Sequence, residues 1–139
     1  MITISIEQSI LDEGDQISPD VLEHVQELIN SCVMNAPDGN IDIRFVSDNE
    51  IKRLNRMYRN KDEITDVLSF QYPDNKELLG DVAISFAQAQ RQAVERPVTD
   101  EAIELIVHGV LHILGYDHER PGDDKVMFSL QDSIIEQIL

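Results

Sequence analysis

Three histidines stand close together near the C-terminal end of this 139-residue chain. His108, His112 and His118 follow the pattern H-x-x-x-H-x-x-G-x-x-H. Residues four apart lie on the same face of an α-helix, so His108 and His112 can offer two imidazole nitrogens to one ion. Gly115 can adopt the left-handed conformation that ends a helix, and the turn would bring His118 to the same ion. Three imidazoles with an open position for water form a common catalytic zinc site, so the spacing predicts metal binding.

The spacing matches the zinc-binding signature of metzincin peptidases except at one position. Gly109 stands where those enzymes carry the glutamate that acts as general base. A hydrolase built on this motif must take its proton acceptor from another side chain, from the substrate or from metal-bound hydroxide. The alternatives to a catalytic metal are a structural metal and ordinary buried or capping histidines.

Length and composition predict one domain spanning residues 1–139. The single Cys32 excludes an intramolecular disulfide framework and suits a reducing compartment. The N-terminal segment has no basic region followed by a long apolar run, and no stretch of about eighteen apolar residues occurs. We therefore expect a soluble, cytoplasmic protein without a membrane partner.

The formal net charge of −16 argues, by itself, against a polyanionic substrate. The segment KRLNRMYRNK, residues 52–61, nevertheless contains five of the eleven Lys and Arg residues and no acid. A local basic patch can bind phosphates at short range, where direct contacts outweigh a screened field. The alternative is a solvated helix face.

Hydrophobic periodicity predicts alternating strands and helices. The strands are expected at 2–7, around 41–45, at 67–72 and at 80–86. Helices are expected at 19–33, 48–58 and 86–95, and a C-terminal helix at 126–138. Between the last two, a long helix is expected to have Thr99 as its N-cap and to carry the start of the histidine motif. This pattern predicts an α+β fold: a single domain with a small mixed sheet of about four strands covered by helices. The helix that carries His108 and His112 is expected to be central and largely buried.

Three segments in this order resemble the YbeY family of bacterial rRNA maturation factors and endoribonucleases. They are LNRMYRNKDEITDVLSF (54–70), LGDVAIS (79–85) and HGVLHILGYDH (108–118). The resemblance implies a metal-dependent, zinc-binding endoribonuclease with one Zn²⁺ ion that cuts single-stranded RNA. It also implies a role in ribosomal RNA maturation, including the small-subunit RNA 3′ end, and in ribosome quality control. The implied partners are ribosomal RNA and the small ribosomal subunit with its associated proteins.

The same resemblance places the metal ligands at His108, His112 and His118 and a functionally important arginine at Arg59. A guanidinium at that position can grip a phosphodiester with two hydrogen bonds and stabilise the charge of a phosphoryl-transfer transition state. The alternative for Arg59 is a salt bridge to a neighbouring acid, Asp62 or Glu63.

The proton acceptor and the cleavage route stay open at this point. Asp81 and Asp117 are candidates for an auxiliary base or for partners of the metal ligands. RNA carries an internal nucleophile, its 2′-hydroxyl, so cleavage can proceed by transesterification or by hydrolysis. Two other functions compete: a metallopeptidase with an unconventional base, and a non-enzymatic ribosome-assembly factor whose metal is structural. The oligomeric state is not predicted.

Overall fold

The computed structural model describes residues 1–117 and 122–139 of the chain. In these two ranges the secondary structure alternates much as the periodicity predicts. The elements are β1 (Ile2–Glu7), α1 (Pro19–Cys32), β2 (Gly39–Val46), α2 (Asp48–Arg59), β3 (Val67–Gln71), β4 (Leu78–Ser85), α3 (Phe86–Gln92), α4 (Val98–Ile113) and α5 (Asp123–Ile138).

The strands form one sheet in the order β1-β2-β4-β3. β1 is parallel to β2 and β2 is parallel to β4, whereas β3 is antiparallel to β4. The mixed four-stranded sheet confirms the predicted α+β fold. The strand order, which periodicity does not reveal, places β3 at one edge of the sheet, with β4 as its neighbour.

The two faces of the sheet carry different layers of helices. On β4, Val82 and Ile84 belong to the main core, together with residues of α1, α4 and α5, while Ala83 belongs to a smaller cluster with α2. This alternation follows from the two-residue period of a strand. The sheet is thus covered on one face by three long helices and on the other, in part, by α2.

The central helix α4 is buried as the sequence predicts, but it begins earlier. Nine of its sixteen residues are buried. Thr99 is not the N-cap, so that prediction is wrong. Pro97 occupies the N-cap with an extended backbone, and its carbonyl accepts from the amide of Asp100 at 3.1 Å. Proline favours such an extended conformation before a helix, so the first turn starts at Val98.

The apolar face of α2 is narrower than predicted. Ile51 and Leu54 are buried, but Met57 and Tyr58 are 57% and 58% exposed. Asn55 is buried in their place, and its amide donates to the carbonyl of Glu63 at 3.0 Å. The last turn of α2 therefore fixes the following loop rather than filling a core.

Two smaller features complete the description of the fold. α3 ends at Gln92, three residues before the predicted end, and Glu95 adopts a positive φ of 68°. In the described residues no helix is both long and apolar enough to cross a membrane.

Candidate metal centre

His108 and His112 lie together near the C-terminal end of α4, as their spacing predicts. Their Nε2 atoms are 3.1 Å apart, and both side chains are partly buried. A tetrahedral zinc ion with Zn–N bonds of about 2.0–2.1 Å holds two nitrogen ligands roughly 3.3 Å apart. The two imidazoles therefore fit a shared zinc ion without a change in their positions of more than a few tenths of an ångström.

The chain turns sharply after the second histidine. Gly115 has a φ of +101°, its amide donates to the carbonyl of His112 at 3.1 Å, and the amide of Tyr116 donates to the carbonyl of Leu111 at 3.0 Å. These two hydrogen bonds define a Schellman motif, which requires a left-handed residue that glycine adopts at little cost. The predicted helix-ending role of Gly115 is confirmed.

The third predicted ligand, His118, lies outside the described residues, and its place at the ion stays a prediction. Among residues 1–117 and 122–139, no group of three His, Cys, Asp or Glu side chains is arranged to hold a metal. The described part of the chain thus supplies two of the three predicted ligands.

The edge strand β3 fixes the end of α4 that carries the histidines. The hydroxyl of Ser69 donates to the carbonyl of Gly109 at 3.1 Å. The side-chain amide of Gln71 donates to the carbonyls of His112 and Ile113, at 3.0 Å in each case. These contacts tie the last turns of α4 to β3 and hold the histidines at the edge of the sheet.

Gly109 is required by the close approach of α4 to the sheet. A Cβ atom on this residue would lie 2.6 Å from Cγ1 of Val82. The position therefore faces β4, and a glutamate here would be forced into the packed sheet. This geometry explains why the general base of the metzincin signature is missing, and the proton acceptor must come from elsewhere.

Gly109→Ala should lower the free energy of unfolding by about 1 kcal/mol. Overpacking against Val82 destabilises the fold by about 1–3 kcal/mol, and the higher helix propensity of alanine offsets about 1 kcal/mol of that loss. Urea denaturation measures the change. Gly14→Ala is the matched control, since no atom lies within 4 Å of its added Cβ. Equal stability of the two variants would show that the contact with Val82 relaxes freely.

Arg59, the last residue of α2, is held against the same edge strand. Its Nη2 donates to the carbonyl of Ser69 at 2.7 Å, and its Cζ lies 5.5 Å from the centre of the Phe70 ring. Within the described residues it forms no ion pair, so the alternative of a salt bridge to Asp62 or Glu63 does not hold there. Arg59 is exposed and a guanidinium has five N–H donors, so donors other than the one bound to Ser69 can reach a ligand.

Arg59 and the two histidines line one open cleft of about 1840 Å³. The cleft continues from the histidines along β3 to the sheet face that α2 leaves uncovered. Among the described residues that line it, acids outnumber cations: the acids are Glu7, Asp42, Glu63, Asp66, Asp81 and Asp117, and the cations are Arg44, Arg59 and Lys61. Because acids are in excess, the attraction of a phosphate into this cleft must come from these few cations and from any metal ion that the histidines hold.

Both candidate auxiliary acids, Asp81 and Asp117, line the cleft. Asp81 accepts a hydrogen bond of 2.6 Å from the hydroxyl of Tyr72. This hydrogen bond, with a smaller contribution from burial, raises the pKa of Tyr72 to about 12. The hydroxyl of Tyr72 therefore stays protonated near neutral pH and serves as a donor, not as a base.

Gln131 belongs to the site although it is not among the residues predicted from the sequence. Oε1 of Gln131, on α5, lies 2.8 Å from Nδ1 of His108, and Gln131 is only 6% exposed. The ring of Phe128 also stacks on His108, with ring centres 6.1 Å apart. The sequence feature that could have revealed Gln131 is its place on the apolar face of an amphipathic helix, beside Leu130 and Ile134, where a polar side chain is unusual.

Comparison with known proteins identifies the family. A sequence model of the family described as Endoribonuclease YbeY matches residues 4–139. The Endoribonuclease YbeY of Persephonella marina is 44% identical over 126 residues, which is 85% of this chain and 81% of that protein. The Endoribonuclease YbeY of Geobacillus thermodenitrificans is 36% identical over 149 aligned positions, covering 95% of this chain and 96% of the relative.

A solved structure shares the fold. The solution structure of TM1509 from Thermotoga maritima superposes with a TM-score of 0.67 at 29% identity, covering 99% of this chain and 89% of that one. The match to the family model extends over nearly the whole chain and includes all three segments that carry the resemblance. The chain belongs to the YbeY endoribonuclease family.

Proposed function

We propose that this protein is a zinc-dependent endoribonuclease that cuts single-stranded RNA. The observation that carries the proposal is the pair of imidazole Nε2 atoms 3.1 Å apart, in the cleft that Arg59 also lines. A metal ion held by such a ligand pair and a guanidinium can both stabilise the charge that builds on the phosphoryl oxygens in the transition state of phosphodiester cleavage. The names of the relatives support the same activity.

The residues of the chain divide the chemistry between them. His108, His112 and, as the motif predicts, His118 would hold one Zn²⁺ ion, which when bound supplies Lewis-acid polarisation of a phosphoryl oxygen. Arg59 donates hydrogen bonds to the phosphate while Ser69 and Phe70 fix its orientation. RNA brings its own nucleophile, the 2′-hydroxyl, so the absence of a glutamate at Gly109 does not prevent internal attack.

Aromatic rings beside Arg59 favour a single strand over a duplex. Tyr58 is 58% exposed, and its ring meets that of Phe70 edge-on with centres 5.1 Å apart. Proteins that bind single-stranded RNA stack unpaired bases on such rings, whereas a duplex keeps its bases stacked on one another. The cleft thus offers a surface for an unpaired base next to the group that holds its phosphate.

The resemblance and the exposed cations of α2 and of the residues just after it support ribosomal RNA as the substrate, including the 3′ end of the small-subunit RNA. Lys52, Arg56 and Lys61 are exposed and form no ion pair in the described part of the chain. Lys52 and Arg56 would contact phosphates outside the cleft and Lys61 phosphates at its lining, which compensates locally for the acidic body. We further propose that the protein is cytoplasmic, that its partners are the small ribosomal subunit and the associated proteins, and that it acts in ribosome quality control.

Cleavage of a short single-stranded RNA, with and without a metal chelator, tests the proposal. We expect the protein to cut the single strand and to spare the same sequence in a duplex. The chelator should stop cleavage and added zinc should restore it. A 2′,3′-cyclic phosphate on the product would show internal attack by the 2′-hydroxyl, and a 3′-hydroxyl would show hydrolysis.

Two results would contradict this function. Chelator-sensitive cleavage of an unstructured protein, with RNA left intact, would make the chain a metallopeptidase. Intact RNA and intact protein, despite bound zinc, would favour the assembly factor with a structural metal.

A further inference from the structure

The contact between His108 and Gln131 determines which ring nitrogen of His108 carries the proton. Oε1 of Gln131 lies 2.8 Å from Nδ1 of His108, on the side of the imidazole away from His112. A neutral imidazole has one N–H donor and one lone-pair acceptor, and an amide oxygen can only accept. A hydrogen bond to Oε1 therefore requires the proton of His108 to sit on Nδ1.

That placement of the proton leaves the lone pair of His108 on Nε2. Nε2 is the atom that lies 3.1 Å from Nε2 of His112, where the shared ion would bind. The opposite tautomer would put a proton at the ion's position and would leave two acceptors facing each other across 2.8 Å. Metal-binding imidazoles commonly donate their second N–H to such an acceptor, which fixes both tautomer and ring orientation.

The packing of α5 holds the carboxamide in place. Met127, one turn before Gln131, and Ile134, one turn after it, are both fully buried in the main core. Residues three and four apart share one face of a helix, so the three side chains point into the same layer. The ring of Phe128 lies nearly parallel to that of His108, at 25°, and limits its tilt.

We propose that Gln131 is a positioning residue of the metal centre, which presets the Nδ1–H tautomer of His108 and so prepares Nε2 to bind the ion. This inference rests on the proposed metal site. A purely structural role, in which the glutamine only satisfies a buried polar group, predicts a loss of stability without a specific loss of metal affinity.

Zinc affinity of Gln131 variants, measured by competition with a chromophoric chelator, provides the first test. Gln131→Met keeps the side-chain length but removes the acceptor, and we expect about a 10- to 100-fold weaker affinity. Gln131→Glu retains an acceptor and should stay within about threefold of the wild type. Gln137→Met is the matched control, because Gln137 is exposed on the same helix and should leave the affinity unchanged. Circular dichroism of each metal-free variant verifies that α5 is folded.

The ¹⁵N chemical shifts of His108 in the metal-free wild-type protein provide a second test that needs no variant. At a pH where the ring is neutral, we expect the Nδ1–H tautomer to dominate. A dominant Nε2–H tautomer would overturn the inference, and so would wild-type zinc affinity in Gln131→Met.

His112→Ala separates failure of the inference from failure of the metal site. If His112→Ala loses zinc while Gln131→Met keeps it, only the role of Gln131 is overturned. If His112→Ala binds zinc as tightly as the wild type, His112 is not a zinc ligand. Both the assigned metal site and the role of Gln131 are then contradicted.

Discussion

His112→Ala should abolish RNA cleavage, with a fall in rate of about a thousandfold or more, while leaving most of the fold intact. Loss of Lewis-acid polarisation is expected to cost several kcal/mol of transition-state stabilisation, and about 4 kcal/mol corresponds to a thousandfold. The buried residues of α4 that surround His112 keep their core contacts, because the imidazole points into the cleft. Single-turnover cleavage of a short single-stranded RNA measures the effect.

His24→Ala is the matched control for this experiment, since His24 is an exposed histidine of α1 outside the cleft. It should cut RNA at the wild-type rate. Equal cutting by His112→Ala and His24→Ala, purified side by side, would assign the activity to a contaminating nuclease. An unfolded His112→Ala would instead indicate that the metal is structural, as the assembly-factor alternative predicts.

Arg59→Ala should lower kcat/KM for RNA cleavage by about 10²- to 10³-fold and leave zinc affinity unchanged. Removing one preorganised donor from a developing oxyanion typically costs this much. Arg59→Lys should recover only part of the loss, because an ammonium is a single point charge and cannot reproduce the planar, two-pronged guanidinium contact. The comparison of the two variants separates the effect of charge from the effect of shape.

Arg53→Ala provides the control for Arg59. Arg53 lies on the same helix but does not line the cleft, and its guanidinium pairs with Glu50 at 2.5 Å. This exposed pair is expected to add less than about 1 kcal/mol to stability, so the variant should fold and cut RNA normally. If Arg59→Ala and Arg53→Ala cut RNA equally well, Arg59 has no role in the reaction.

Much of the site was predictable because its signals are local. The interval of four between His108 and His112 fixes their shared face through helix geometry alone, and Gly115 marks the helix end because its backbone conformation is a property of one residue. The strands were predictable for the same reason: alternation records which face of a strand is buried. Each of these inferences depends on residues within about one helical turn of one another.

The features that were missed depend on contacts between distant parts of the chain. Gln131 is 23 residues from His108 and meets it only because α5 packs against α4. Met57 and Tyr58 have helical spacing with Ile51, yet α2 covers only part of the sheet and leaves its last turn exposed. The spacing of apolar residues within a helix does not show how much of that helix the sheet covers.

Ser69 joins the two halves of the site, and its position in the sheet has a consequence for heat inactivation. Its carbonyl holds Arg59 and its hydroxyl holds α4. Its strand, β3, is five residues long, and in residues 1–117 and 122–139 it pairs with β4 alone. Segments with few partners open locally at a lower free energy than the whole domain. One such opening of β3 would release the arginine and loosen the histidine helix together. We therefore expect heat to inactivate the site at a temperature below that at which the core melts, and activity and circular dichroism followed together during heating would measure the difference.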